Sequence, residues 1–213
     1  IHPPKPKDLQ NRLKDARRDE FDQSLMMTAQ PALVTGGQLM EYQLDGVNWL
    51  LYMFFTQKNA ILADDMGLGK TIQVLTLFSA LIEQLDCFPF LVVVPNATVP
   101  NWRREIKSWS PDVRVVTYYG SAFAREMTRE HEMFHKNGTL CCHVVIASYE
   151  SMADDGAKRV LSSVNWAGLV VDEGQRLKND KTQLYERLRR MKCGFKLLLT
   201  GTPLQNNIRE LFN

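Results

Sequence analysis

The segment Asp64-Asp65-Met66-Gly67-Leu68-Gly69-Lys70-Thr71 carries the groups that a polyphosphate needs. Gly67 and Gly69 let the backbone turn its N–H groups inward toward phosphate oxygens. In such a cradle the Lys70 ammonium reaches the β- and γ-phosphates, and the Thr71 hydroxyl ligates Mg²⁺. About a hundred residues further on, the apolar run Leu169-Val170-Val171 ends in Asp172-Glu173. A carboxylate at Asp172 holds Mg²⁺ through its water shell, and Glu173 orients and deprotonates an attacking water. Together the two segments predict a site for a nucleoside triphosphate. The cradle departs from G-x-x-x-x-G-K-[ST] at its first position, where Asp64 stands in place of glycine.

That chemistry requires a strand, a loop and a helix in order. Residues 59–63 are apolar enough for a buried strand, and Lys70 opens a helical run, whose free N–H groups and dipole favour phosphate. Further strands are expected at 90–94, 113–117, 142–146, 167–171 and 195–199. Helices are expected at 38–57, 70–85, 98–109, 121–136, 149–154, 180–192 and from about 206. Strands alternating with helices predict an α/β fold with a mainly parallel sheet covered on both faces. Leu91-Val92-Val93-Val94 and Val144-Val145-Ile146 are apolar throughout, as strands buried on both sides must be.

The chain has 213 residues, enough for one sizeable α/β domain. Its net charge of +2 gives no argument for a nucleic-acid partner. Between Arg176 and Lys196, however, eight Lys or Arg stand against two acidic residues. A solvated helix face and a phosphate-facing stripe both fit that run. The four cysteines have no C-x-x-C spacing, and Cys141-Cys142-His143 reads as the start of a core run rather than as a zinc site. Free thiols fit a reducing compartment. No apolar run reaches the roughly 20 residues of a membrane-spanning helix, so no membrane partner is expected. Residues 1–35 are polar, with Pro3, Pro4 and Pro6 at the start, and read as a connector with one possible helix. Gly36-Gly37 marks the break into a second unit, 36–213. A chain that starts at Ile1 and ends within an expected helix is expected to be a piece of a longer protein.

Five segments then line up in order. They are Leu39-x-x-Tyr42-Gln43-x-x-Gly46-x-x-Trp49-Leu50; Val92-Val93-Val94-Pro95-Asn96 with Asn101-Trp102; Ile146-Ala147-Ser148-Tyr149-Glu150; Val171-Asp172-Glu173-Gly174-Gln175-Arg176-Leu177-Lys178-Asn179; and Leu199-Thr200-Gly201-Thr202-Pro203-Leu204-Gln205-Asn206-Asn207. From about Gly36 to the end, the series resembles the first RecA-like lobe of a SWI/SNF-family ATPase, the motor of chromatin remodellers. The Trp-Arg-Arg-Glu-Ile-Lys and Val-Val-Thr-Tyr-Tyr-Gly stretches are most similar to the chromodomain-helicase branch, including fungal silencing remodellers.

The resemblance implies a single RecA-like lobe of three layers and hydrolysis of ATP with Mg²⁺. It implies double-stranded DNA and nucleosomes as partners, a multi-subunit chromatin complex, and the nucleus. Gln43 corresponds to the glutamine that reads the adenine edge. Pro95, Asn96, Ser148 and Tyr149 fall in segments that hold one DNA strand by its phosphates. Thr200, Gly201 and Thr202 match the motif that links hydrolysis to DNA movement. The family's arginines come from a second lobe, so residues 1–213 alone are expected to hydrolyse almost no ATP. Two positions depart from the family: Asp65 where Glu is usual, and Gln175 where His is usual. Glutamine keeps a donor and an acceptor but does not titrate near neutral pH. An RNA helicase of the same superfamily and a nucleotide-gated scaffold without useful catalysis remain as alternative readings.

Overall fold

The apolar runs align into one sheet because each is too apolar to leave either face in water. The computed structural model describes residues 4–15, 26–177 and 183–201. The strands are β1 (Ala60–Leu62), β2 (Phe90–Val94), β3 (Val115–Tyr118), β4 (Val144–Ser148), β5 (Gly168–Val171) and β6 (Lys196–Leu199). All pairings are parallel, in the spatial order β1-β6-β5-β2-β4-β3. The helices are α1 (Pro6–Asp15), α2 (Glu41–Phe55), α3 (Lys70–Leu85), α4 (Val99–Trp109), α5 (Ala122–Thr128), α6 (Tyr149–Ala153), α7 (Asp155–Ser162) and α8 (Gln183–Arg190).

Successive strand residues point to opposite faces and divide the core in two. Phe90, Val92, Val94, Val144, Ile146, Val170, Leu197 and Leu199 pack with α2, α3 and α4. Leu91, Val93, Val145, Ala147, Leu169, Val171 and Leu198 pack on the other side with α6, α7 and α8. The result is the expected three-layer RecA-like lobe, with every strand's carboxyl end on one edge.

Three local expectations are revised. The helix expected over 121–136 ends as one π-helical turn, Arg129–Met133, because Phe134 turns extended to bridge Leu140. The segment 149–162 forms two helices rather than one short one. Asp154 accepts a hydrogen bond from Ala157 N at 2.9 Å and so caps a new helix just where the expected one, 149–154, stops. Residues 26–35, read as connector, lie on the lobe. Met27 exchanges two hydrogen bonds with the Asn48 side chain, at 2.8 and 3.0 Å, and Val34 is buried in the core. The helix expected from about 206 lies outside the described residues.

Candidate nucleotide site

The cradle forms where β1 turns into α3. Gly69 takes φ +83 and is the N-cap of α3. That conformation suits only glycine without strain, and a Cβ there would stand 2.4 Å from Gln43 Nε2. Asp64 replaces the first glycine with an anchored side chain, since Gln73 Nε2 on α3 donates to its Oδ2 at 3.1 Å. Lys70 Nζ donates to the carbonyls of Asp64 (2.6 Å) and Asp65 (3.0 Å), so the ammonium sits within the loop. Gln43 is buried; its Oε1 accepts from Met40 N at 3.0 Å and its Nε2 donates to Leu68 O at 3.3 Å. Its amide is thereby fixed against the cradle.

The acidic pair stands at the carboxyl end of β5, where open α/β sheets bind ligands. Asp172 N donates to Val93 O on β2 at 2.9 Å. Asp172 Oδ1 accepts from Glu173 N at 2.8 Å and Oδ2 accepts from Trp102 Nε1 at 2.8 Å. Burial pushes the Asp172 carboxyl above the usual carboxylate range, and these two N–H groups pull it back. Glu173 has φ +54, a left-handed conformation that is strained for glutamate. Gly174 then lets the chain pass over β6, since a Cβ would lie 2.3 Å from Leu198 Cδ1.

Gln175 joins two segments. Its Nε2 donates to Glu173 Oε2, and its Oε1 accepts from Thr200 Oγ1 at 3.0 Å. Thr200 N donates in turn to Leu62 O at the end of β1. Gly201 lies beside the cradle: a Cβ on it would stand 3.1 Å from Met66 Cγ and 4.0 Å from Lys70 Nζ. Thr202 lies outside the described residues.

One open cavity of about 380 Å³ is lined by Met66, Gly67, Gly69, Lys70 and Thr71 together with Asp172 and Glu173. Residues distant in sequence thus meet at one place. Gln43, Asp64, Asp65 and Leu68 support the wall of the cradle without lining this cavity. Thr98, Asn101, Trp102 and Glu105 of α4 and its lead-in also line it. Sequence reasoning gave them no role there, although their spacing puts them on one helical face.

The DNA-assigned residues divide differently. Asn96 is exposed and opens a 3-10 turn, Asn96–Thr98. Pro95 is buried. The Ser148 hydroxyl is fully buried and accepts from Ser151 N at 3.0 Å, so it caps α6 and does not face solvent. Tyr149 turns inward, its hydroxyl donating to Asp172 O. The basic run is partly neutralised: Arg187 pairs with Asp155 at 2.5 Å, and Arg190 with Glu186 at 3.2 Å.

A Mg²⁺ ion suits the donor set. Thr71 and Asp172 supply hard oxygen donors to the same cavity, and Mg²⁺ takes one or two protein oxygens beside phosphate and water. Among the described residues no cluster of three His, Cys, Asp or Glu could hold a metal alone, which such a phosphate-sharing site does not need. Cys141 and Cys142 are buried, and burial pushes the Cys142 thiol up to about 12, so it is unsuited to ligate. Among the described residues no helix is long and apolar enough to cross a membrane.

Residues 42–213 match the SNF2-related domain. The chain belongs to that family. The SNF2-related domain is here 46% identical over 187 residues to the chromatin remodeling factor mit1 of Schizosaccharomyces pombe, covering 87% of this chain and 13% of that protein. It is 42% identical over 228 residues to the chromodomain-helicase-DNA-binding protein 3 homolog of Caenorhabditis elegans, covering 99% of this chain and 12% of that protein. The chain thus spans about an eighth of the length of these relatives. The fold is similar to the Sulfolobus solfataricus SWI2/SNF2 ATPase core in complex with dsDNA, with a TM-score of 0.74 and 27% identity over 88% of this chain and 38% of that one.

Proposed function

We propose that this lobe binds ATP and Mg²⁺ as the N-terminal half of a double-stranded-DNA translocase that remodels nucleosomes. The observation that carries the reading is the meeting of Lys70 and Thr71 with Asp172 and Glu173 around one cavity. Relatives named as a chromatin remodeling factor and as a chromodomain-helicase-DNA-binding protein support the chromatin setting. They also support the chromodomain-helicase branch, a nuclear location and work within a multi-subunit complex. A structural neighbour solved with dsDNA supports the choice of duplex.

The chain's own groups divide the work. The amides of Gly67 to Lys70 and the Lys70 ammonium hold the β- and γ-phosphates, and Gln43 stands where an adenine edge is read. Thr71 and Asp172 hold Mg²⁺, which neutralises phosphate charge when bound. Glu173 accepts the proton of the attacking water, and water adds to the γ-phosphorus to release ADP and phosphate. Gln175 carries the state of Glu173 to Thr200. Turnover requires arginines of a second RecA-like lobe in the same full-length chain; without them the rate falls by roughly 10³–10⁵. Duplex contact uses the exposed Asn96 side chain and the backbone N–H groups of Asn96 and Ala97, which position phosphates without reading sequence.

The test is ATP hydrolysis by the full-length protein with and without duplex DNA. Hydrolysis stimulated by duplex DNA is expected, and Glu173→Gln should cut it by about 10²–10⁴ while nucleotide binding persists. Stimulation by RNA alone, or nucleosome movement unchanged in Glu173→Gln, would reverse the reading.

A further inference from the structure

Asp172 is gripped by two side chains that the nucleotide chemistry does not require. Trp102 Nε1 donates to its Oδ2 at 2.8 Å across 70 residues of sequence. Tyr149 Oη donates to its main-chain oxygen. Both are sheltered: Trp102 is 1% exposed, and burial and the nearby acidic pair push the Tyr149 phenol well up, so it stays a donor. A buried tryptophan must place its N–H somewhere. Trp166 satisfies that need with the Leu161 carbonyl, five residues away. Trp102 instead spends its N–H on the site's carboxylate.

Both residues also sit at a particular place in the chain. The 3-10 turn at 96–98 runs without a break into α4, and Thr98 N and Oγ1 both donate to Pro95 O. Trp102 is one turn into that helix. Tyr149 is the first residue of α6, straight after β4. These two junctions are the segments assigned to duplex phosphates above. A shift of either segment is passed through one rigid ring to the same residue.

The two bonds constrain different things. Of the lone-pair positions on the Asp172 carboxylate, one on each oxygen is taken by an N–H, which leaves the rest facing the cavity. The Trp102 bond therefore sets the carboxylate's rotation. The Tyr149 bond fixes the peptide between Asp172 and Glu173, next to the strained φ of +54.

We infer that Trp102 and Tyr149 are positioning residues that transmit the placement of the 95–98 and 148–149 segments to the Mg²⁺-holding Asp172, so that duplex contact tunes the affinity for the Mg²⁺–nucleotide pair. The inference rests on the nucleotide-site reading above. It is tested in the full-length protein with Trp102→Phe, which keeps a ring in the slot and loses the N–H, and Tyr149→Phe, which loses only the hydroxyl. A fluorescent ADP analogue is titrated without Mg²⁺ and then at rising Mg²⁺, with and without duplex DNA.

Mg²⁺-free affinity should stay within about 2-fold of wild type, while half-saturating Mg²⁺ rises about 10-fold in Trp102→Phe, at the low end for loss of an outer-shell partner. The change in half-saturating Mg²⁺ that duplex DNA causes in wild type should shrink in both variants. Wild-type Mg²⁺ titrations and wild-type DNA response in both variants overturn the inference. If Trp102→Phe loses Mg²⁺-free affinity and thermal stability together, its slot has collapsed, and Tyr149→Phe alone decides by its DNA response. A wild-type protein that binds no nucleotide at all would overturn the site reading itself.

Discussion

Gln175 offers the sharpest measurement, because one amide spans Glu173, the residue proposed to activate water, and the segment after β6. Substituting Gln175→Ala removes an amide-to-carboxylate bond to Glu173 and the 3.0 Å bond from Thr200. The first class is worth about 1.5–3 kcal/mol and the second about 0.5–1.5 kcal/mol. Gln175 is only half-buried, so the low end of the first range applies; Thr200 is buried, so the middle of the second does, for a total of about 2.5 kcal/mol. At ~1.4 kcal/mol per decade that is roughly a 60-fold fall in DNA-stimulated turnover. Thr200→Val breaks the second bond and leaves the first, and should cost about 5-fold, ~1 kcal/mol. The two losses share that bond, so the double variant should fall short of their sum by about 1 kcal/mol. The assay is kcat for hydrolysis and the rate of nucleosome movement in the full-length protein, for both single variants and the double. A coupling below ~0.5 kcal/mol is ordinary additivity and would refute the bridge. Gln175→His supplies a second check, since an imidazolium cannot accept from Thr200. It should add a loss of coupled activity below about pH 6.5 that the wild-type residue does not produce.

Lys70→Ala should weaken ATP binding by about 10- to 150-fold, the cost of one charge-assisted bond of ~1.5–3 kcal/mol, read by titration of a fluorescent nucleotide. Ile106→Ala empties a fully buried position on α4 and should cost about 2–5 kcal/mol in denaturant unfolding. His143 should make stability pH-dependent. Burial holds its folded pKa below the ordinary value, and its neutral Nδ1 accepts from Arg114 N at 3.0 Å. Below about pH 6.5 the unfolded chain takes up the proton first, so stability falls as pH drops through the window beneath that value. Thermal midpoints across pH 5 to 8 should show that slope (~5–8 brackets the ordinary imidazole range), and His143→Gln should flatten it.

Much of the architecture was legible because the strands are nearly all apolar. Runs such as Phe90–Val94 leave no choice but a sheet buried on both faces. The same uniformity hid which helices cover which face, because a strand with no polar side carries no orientation. The helix expected over 149–154 stops at Asp154, yet an aspartate at the end of one helix can cap the next, and only the bond to Ala157 N decides. Ser148 posed the same ambiguity between a cap and a phosphate ligand, and full burial settles it for the hydroxyl. Lys70, Thr71, Asp172 and Glu173 were readable from local pattern. The role of Trp102 was not, because its hydrogen-bond partner lies 70 residues away, which no local pattern encodes.

The strand order gives Asp172 its weight. On one side of the sheet β1, β6 and β5 carry the cradle, Thr200 and the acidic pair; on the other, β2 and β4 carry the segments assigned to duplex, with β3 at the edge. The two halves meet where β5 pairs with β2, with Val93 opposite Val171. Asp172 is the next residue past that seam. Its N–H is held by β2, its carbonyl by Tyr149 and its carboxylate by Trp102, all from the duplex half. Its chain neighbour Glu173 is held by Gln175, which in turn accepts from Thr200, both from the nucleotide half. A small movement of β2 or α4 therefore bears directly on Asp172, the residue proposed to hold Mg²⁺. Linkage then demands reciprocity: whatever factor duplex binding lends to the Mg²⁺–nucleotide affinity, the bound nucleotide must return to duplex affinity.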